Sequence, residues 1–185
     1  MSDVNYLLPV PCNASRDAIS TFAENLRKES NLMNGFQVRD LMEANDGKVE
    51  MIDEYTENQK DALIVEPDGS FVARVSKISP GVRNNFILAH ELGHYVLHWP
   101  KLKEQTPGVG MKCPRRGDAE DKIMMLCEQE ADTFAVSFLL PAHEFREAIA
   151  SGGIQEAKDR FAVTFEVVEQ RARMLGISEE PKLTV

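Results

Sequence analysis

The stretch FILAHELGHYVLHW, residues 86–99, leaves this chain little freedom in how it folds. It is apolar enough to be a buried helix, yet it carries His90, Glu91, His94 and His98. Imidazoles and a carboxylate are costly to bury without partners. The rest of the chain must therefore enclose this segment and give its polar groups a purpose. On an α-helix, residues four apart lie about 40° from each other and one turn up. His90 and His94 thus share a face, spaced to hold one metal ion, with Glu91 beside it. Two neutral imidazole nitrogens would hold Zn²⁺, and the carboxylate would take a proton from the attacking water. Gly93 costs about 1 kcal/mol against Ala inside a helix, but it leaves space for another helix to approach the ion. An ordinary helix with surface histidines is the simpler alternative. The apolar neighbours Phe86, Ile87, Leu88, Ala89, Leu92 and Val96 argue against it.

A catalytic zinc usually has three protein ligands and one open position. On a straight helix His98 sits two turns from His90, too far to complete the set. It reads instead as a residue supporting the ligands or closing the helix end. The better source is CEQEADTFAVSFLLP, on a second long helix expected over about 118–140. Glu128 and Glu130 lie about 200° apart there, so only one can face the ion. The apolar stripe of Ile123, Cys127, Ala131, Phe134 and Phe138 is flanked by both and does not decide. Asp132, one turn after Glu128, is placed to accept a hydrogen bond from a ligand imidazole. That favours Glu128 and leaves Glu130 as the fallback ligand. For an oxyanion contact, Tyr95 and His98 are merely the nearest candidates in sequence.

The remaining chain reads as α+β. An amphipathic helix is expected over 15–32, capped by Asn13 or Ser15, and a short one follows, closed by Gly47. KVEMID, ALIVE and SFVARVS are β-rich, the last two joined by the turn PDG. They predict a small, mostly antiparallel sheet over about 48–77. Ser79 as cap and Pro80 at the first helical position open the histidine helix, which is expected to stop near Trp99 because Pro100 restricts the residue before it. A long loop bearing Lys101, Lys103, Lys112, Arg115 and Arg116 follows, either a lid or docking element or a solvated insertion. Helical pieces at about 142–150 and 154–175 are separated by Gly152-Gly153. The whole, 1–185, is expected to be one domain. Its core spans about 48–143, with N-terminal helices at 13–46 and a C-terminal helical part at 142–177.

RNNFILAHELGHYVLH followed by EQEADTFAVSFLLP resembles the ImmA/IrrE family of zinc peptidases, over about residues 83–143 and more weakly on either side. The resemblance implies a zincin-like fold and a gluzincin-like site. His90, His94 and Glu128 would be the ligands of one Zn²⁺ ion and Glu91 the general base. Asp132 stands where the family usually has Asn and still accepts an imidazole hydrogen bond. The resemblance also implies a cytoplasmic enzyme that cleaves one protein, a helix-turn-helix repressor or antitoxin-like regulator, in a stress or mobile-element response.

Charge and composition narrow the partners. The formal charge of −9 opposes general affinity for nucleic acid or anionic membrane. The N-terminal residues lack the pattern of a signal peptide. Three widely spaced cysteines fit a reducing compartment, although Cys127 beside Glu128 invites a redox reading. Two rival functions remain: a metal-holding regulator that acts by binding, and a DNA-binding factor using Arg171 and Arg173 near the C-terminus. A further expectation, by analogy with other zinc peptidases, is that SFVARVS offers its edge to an extended substrate. The oligomeric state stays open.

Overall fold

The computed structural model describes residues 4–53, 60–115 and 121–177. Its elements, in chain order, begin with β1 (Tyr6–Leu7), α1 (Arg16–Glu29), α2 (Val38–Glu43), β2 (Gly47–Ile52), β3 (Asp61–Val65) and β4 (Phe71–Ser76). Then come α3 (Gly81–Gly93), a π-helical turn (His94–His98), α4 (Trp99–Gln105), β5 (Gly110–Pro114), α5 (Lys122–Leu139), α6 (Ala142–Phe161) and α7 (Phe165–Met174). The fold is α+β, and buried side chains of the sheet, of α1, α3 and α5 and of the C-terminal helices join in one hydrophobic cluster. Among the described residues, no helix is long and apolar enough to cross a membrane.

The five strands lie in the order β1-β5-β3-β4-β2. β3 pairs antiparallel with both β4 and β5, whereas β2 runs parallel to β4 and β1 parallel to β5. The sheet is thus mixed, not mostly antiparallel. The PDG turn makes the expected β3–β4 hairpin, with Gly69 donating to the Glu66 carbonyl. β4 then carries partners on both sides. Its alternation of buried Phe71, Ala73 and Val75 is that of an interior strand, so SFVARVS has no free edge to offer a substrate.

Two further expectations change. Ser79 does not cap α3; Pro80 is the N-cap, and its carbonyl accepts from Arg83 and Asn84. The histidine helix also does not stop at Trp99. Trp99 donates across five residues to the His94 carbonyl, and the chain continues into α4 with Pro100 in its first turn. A proline there loses nothing, because a first-turn N–H has no intrahelical acceptor. The expected polar loop accordingly contains both α4 and β5. Residues 116–120, the end of the expected loop and the start of the expected second helix, lie outside the described residues.

The crossing of α3 over α5 places the site, and Gly93 sets how close it is. A Cβ at Gly93 would come within 3.1 Å of the Ala131 Cα and carbonyl oxygen and 3.2 Å of Phe134. Backbone cannot yield as a side chain can, so Gly93→Val must push the helices apart. We expect a loss of about 1–3 kcal/mol, visible as a Tm lowered by about 2–4 °C per kcal/mol for a domain of this size.

α5 is held at both ends. Asp121 accepts from the N–H groups of Ile123 and Met124 at its start. At its end, Arg27 of α1 donates to the Phe138 and Leu139 carbonyls, and Arg171 of α7 donates to the Leu140 carbonyl and Ser137 Oγ. Two guanidinium groups thus satisfy carbonyls that have no intrahelical donor and meet the negative end of the helix dipole. Arg171 is 1% exposed and also pairs with Glu24, so it is unavailable to DNA. Arg171→Leu would strand these acceptors, at an expected cost of roughly 2–3 kcal/mol, measurable by chemical denaturation. The Gly152-Gly153 break occurs as expected: both residues are non-helical inside α6, and Gly153 has φ 69°, a conformation natural to glycine.

Candidate metal centre

The site is made where α5 crosses the end of α3. One helical turn separates His90 from His94, and their Nε2 atoms lie 3.1 Å apart. Glu128 reaches across from α5 and spans both, Oε2 lying 3.3 Å from His90 Nε2 and Oε1 3.3 Å from His94 Nε2. Zinc–ligand bonds of about 2.0–2.1 Å at tetrahedral angles put ligand atoms roughly 3.3–3.4 Å apart. The three side chains stand close to that spacing. Among the described residues they form the one convergent group of three His, Cys, Asp or Glu side chains suited to an ion.

The surroundings favour a cation. Glu91 is 5% exposed, and its Oε2 has no hydrogen-bond partner among the described residues. Such an oxygen is expensive unless something polar is to meet it. Burial, opposed by His90 and helped by Glu128, pushes the Glu91 carboxyl up to about 7. Burial alone would lower His90, but the Asp132 and Glu128 carboxylates outweigh it and lift the imidazole to about 10. Burial takes His94 down to about 4. Glu128 is held well below the usual carboxylate range, because the facing imidazoles of His90 and His94 outweigh its burial. The Glu128 and Asp132 carboxylates thus surround the imidazoles with negative charge, an environment that favours a cation. The donor set fits zinc: two imidazole nitrogens and one carboxylate.

Residues 74–173 match the profile of the M78 peptidases, described as the IrrE N-terminal-like domain. The chain belongs to this family. Membership makes it a metallopeptidase-type domain, as the cluster at His90, His94 and Glu128 independently favours. A Mycobacterium tuberculosis structure described as a transcriptional regulator is similar in fold, with a TM-score of 0.60 and 23% identity. The match covers 92% of this chain but 50% of that one, so the chain spans about half its length. No curated protein matches the sequence.

The other expected site residues of this M78 domain fall into place unequally. Asp132 Oδ1 lies 2.8 Å from His90 Nδ1, the ring nitrogen turned away from the cluster. His98 is fully buried behind His94, with its Nδ1 2.9 Å from His94 Nδ1. Glu130, the fallback ligand, points elsewhere: its Oε2 lies 2.9 Å from His98 Nε2, and its two oxygens accept from the N–H groups of Cys12 and Asn13. Tyr95 does not face the cluster's ligands. Its hydroxyl donates to the Gly69 carbonyl in the β3–β4 turn, and its ring packs on Phe71. Of the apolar stripe proposed for α5, Ile123 is 57% exposed, while Cys127, Ala131, Phe134 and Phe138 are buried.

One participant was not singled out by the sequence. A cavity of about 200 Å³ opens at His90 and Glu91, bounded by Ala62, Phe86, Ile87 and Arg115. Arg115 directly follows β5, and its guanidinium donates to the Arg74 carbonyl at 3.5 Å. In the sequence it was one of several cations in an apparent loop, and nothing distinguished it until β5 was seen to carry it to the cavity. Phe86 and Ile87 also line a second cavity of about 640 Å³, bounded by Val82, Arg83, Val167 and Gln170.

Proposed function

We propose that this chain is a zinc-dependent endopeptidase acting on one particular intracellular protein. The observation carrying this reading is the buried Glu91 carboxylate oxygen, without a hydrogen-bond partner among the described residues, beside two imidazole nitrogens 3.1 Å apart that each lie 3.3 Å from an oxygen of Glu128. His90, His94 and Glu128 would hold the ion, and Asp132 would accept the Nδ1 proton of His90. Bound there, zinc would supply Lewis acidity toward water and a substrate carbonyl. Glu91 would take the proton of the attacking water at its free oxygen and pass it to the leaving amine. Arg115 borders the cavity where a scissile segment would lie, and Phe86 and Ile87 continue its wall into the larger, mostly apolar cavity. Two cavities that share Phe86 and Ile87 as lining suit an extended chain with an apolar side chain beside the cleaved bond.

A helix-turn-helix repressor is the substrate class we favour. The similar M. tuberculosis structure bears the description of a transcriptional regulator, which fits a protease working within gene control. The net charge of −9 would draw a basic DNA-binding partner. The test is incubation of the zinc-loaded chain with a helix-turn-helix repressor from the same cell, such as one encoded by a neighbouring gene, followed by intact-mass analysis. Cleavage at one position supports the proposal. A partner inactivated while still intact would instead support a metal-holding regulator that acts by binding.

A further inference from the structure

Three buried side chains run in series from the cluster to the start of the chain. His94 Nε2 faces the ligand group, His94 Nδ1 meets His98 Nδ1 at 2.9 Å, and His98 Nε2 meets Glu130 Oε2 at 2.9 Å. Glu130 then accepts from the backbone N–H of Cys12 at 2.9 Å and of Asn13 at 2.8 Å. Side-chain exposures of 1%, 0% and 4% for His94, His98 and Glu130 leave no room for water to substitute. The π-helical turn, closed by Trp99 N–H on the His94 carbonyl, carries His98 to this position.

We propose that His98 and Glu130 form a one-way hydrogen-bond relay that holds His94 in the tautomer able to bind metal, with its far end fixed by the N-terminal segment at Cys12 and Asn13. The inference rests on the metal reading above, and its direction follows from hydrogen-bond inventory. An ionised carboxylate only accepts, and Glu130 already takes two backbone donors. With a single ring proton, His98 must present it at Nε2, which leaves Nδ1 as a bare acceptor. His94 in turn must carry its hydrogen on Nδ1, leaving Nε2 with a free lone pair toward the ion. The reverse arrangement fails twice. It sets a bare His98 Nε2 against a carboxylate, and it puts a hydrogen on His94 Nε2 where the ion must sit. His98 and Glu130 are thus positioning residues. The backbone at Cys12 and Asn13, 118 and 117 residues before Glu130 in sequence, helps to set the metal site.

Two-bond ¹H–¹⁵N spectra of the histidine-labelled, zinc-loaded full chain read the tautomers directly. The relay requires Nδ1–H at His94 and Nε2–H at His98; Nδ1–H at His98 overturns it. Chelator competition measures the consequence. His98→Phe can neither accept nor donate, and it is expected to bind zinc about 10–100-fold more weakly. His98→Gln offers an amide oxygen and an amide N–H in the same order and should recover part of that loss. Unchanged affinity in His98→Phe, or an equal loss in His98→Gln, contradicts the relay. Should His98→Phe not fold, the wild-type tautomers still decide. Should the wild type take up no zinc, the metal reading fails, and the spectra of the zinc-free chain settle the relay separately.

Discussion

Glu91→Gln is expected to lower peptide hydrolysis by about 10²–10⁴-fold, the range that a positioned general base contributes. Glutamine fills the same volume and leaves His90, His94 and Glu128 untouched. It removes the proton acceptor alone. Zinc content should therefore stay at that of the wild type, and so should the stabilisation that zinc confers. That combination separates chemistry from binding, since a variant that lost activity through lost metal would show both changes. Cleavage at the wild-type rate by metal-loaded Glu91→Gln would rule out Glu91 as the base. Inactivation of the partner without cleavage would point to action by binding. The substitution also places an amide where burial now pushes a carboxyl up to about 7.

Glu128→Ala should remove zinc altogether. A ligand that binds only the folded state stabilises it by about 4 kcal/mol when present at 1,000 times its Kd. For a domain of this size that corresponds to a rise of roughly 8–16 °C in Tm. The wild type should show this response, and Glu128→Ala should show almost none. Glu130→Ala should keep it in reduced form, since Glu130 touches the ligand set only through His98. Full zinc occupancy in Glu128→Ala would transfer the ligand role to another residue. Neither exposed carboxylates nor an ordinary helix crossing would give this contrast between two glutamates two residues apart.

The parts legible in the sequence were those governed by local spacing. Two histidines one turn apart, and a glutamate with an acid one turn later, announce their faces through helix geometry alone. The packing role of Gly93 could be read in the same way, from the cost of a glycine inside a helix. The sheet was less legible. Parallel pairing of β2 with β4 depends on how the chain crosses over, which no strand's own pattern records. β5 was hidden because glycine, proline and lysine around Gly110–Pro114 read as loop composition, although Met111 and Cys113 are buried as a strand's inner face requires. The π-helical turn escaped notice because a single widened turn leaves the surrounding periodicity nearly unchanged. Glu130 was harder still, since two of its three partners are backbone N–H groups that carry no residue-type signal. Arg171 was misleading in the other direction. An arginine on a short C-terminal helix looks like a DNA contact until its burial against α5 is seen.

The two arginines on the end of α5 bear on how the protein comes into being. The helix carrying Glu128 receives one cap from α1, made early, and the other from α7, among the last described segments to leave the ribosome. A nascent chain that has emerged only through α6 still has Leu140 and Ser137 without the Arg171 guanidinium. The end of the helix that carries Glu128 then has only the Arg27 cap. Complete capping of the helix that carries Glu128 is thereby tied to synthesis of α7, more than thirty residues after the last ligand.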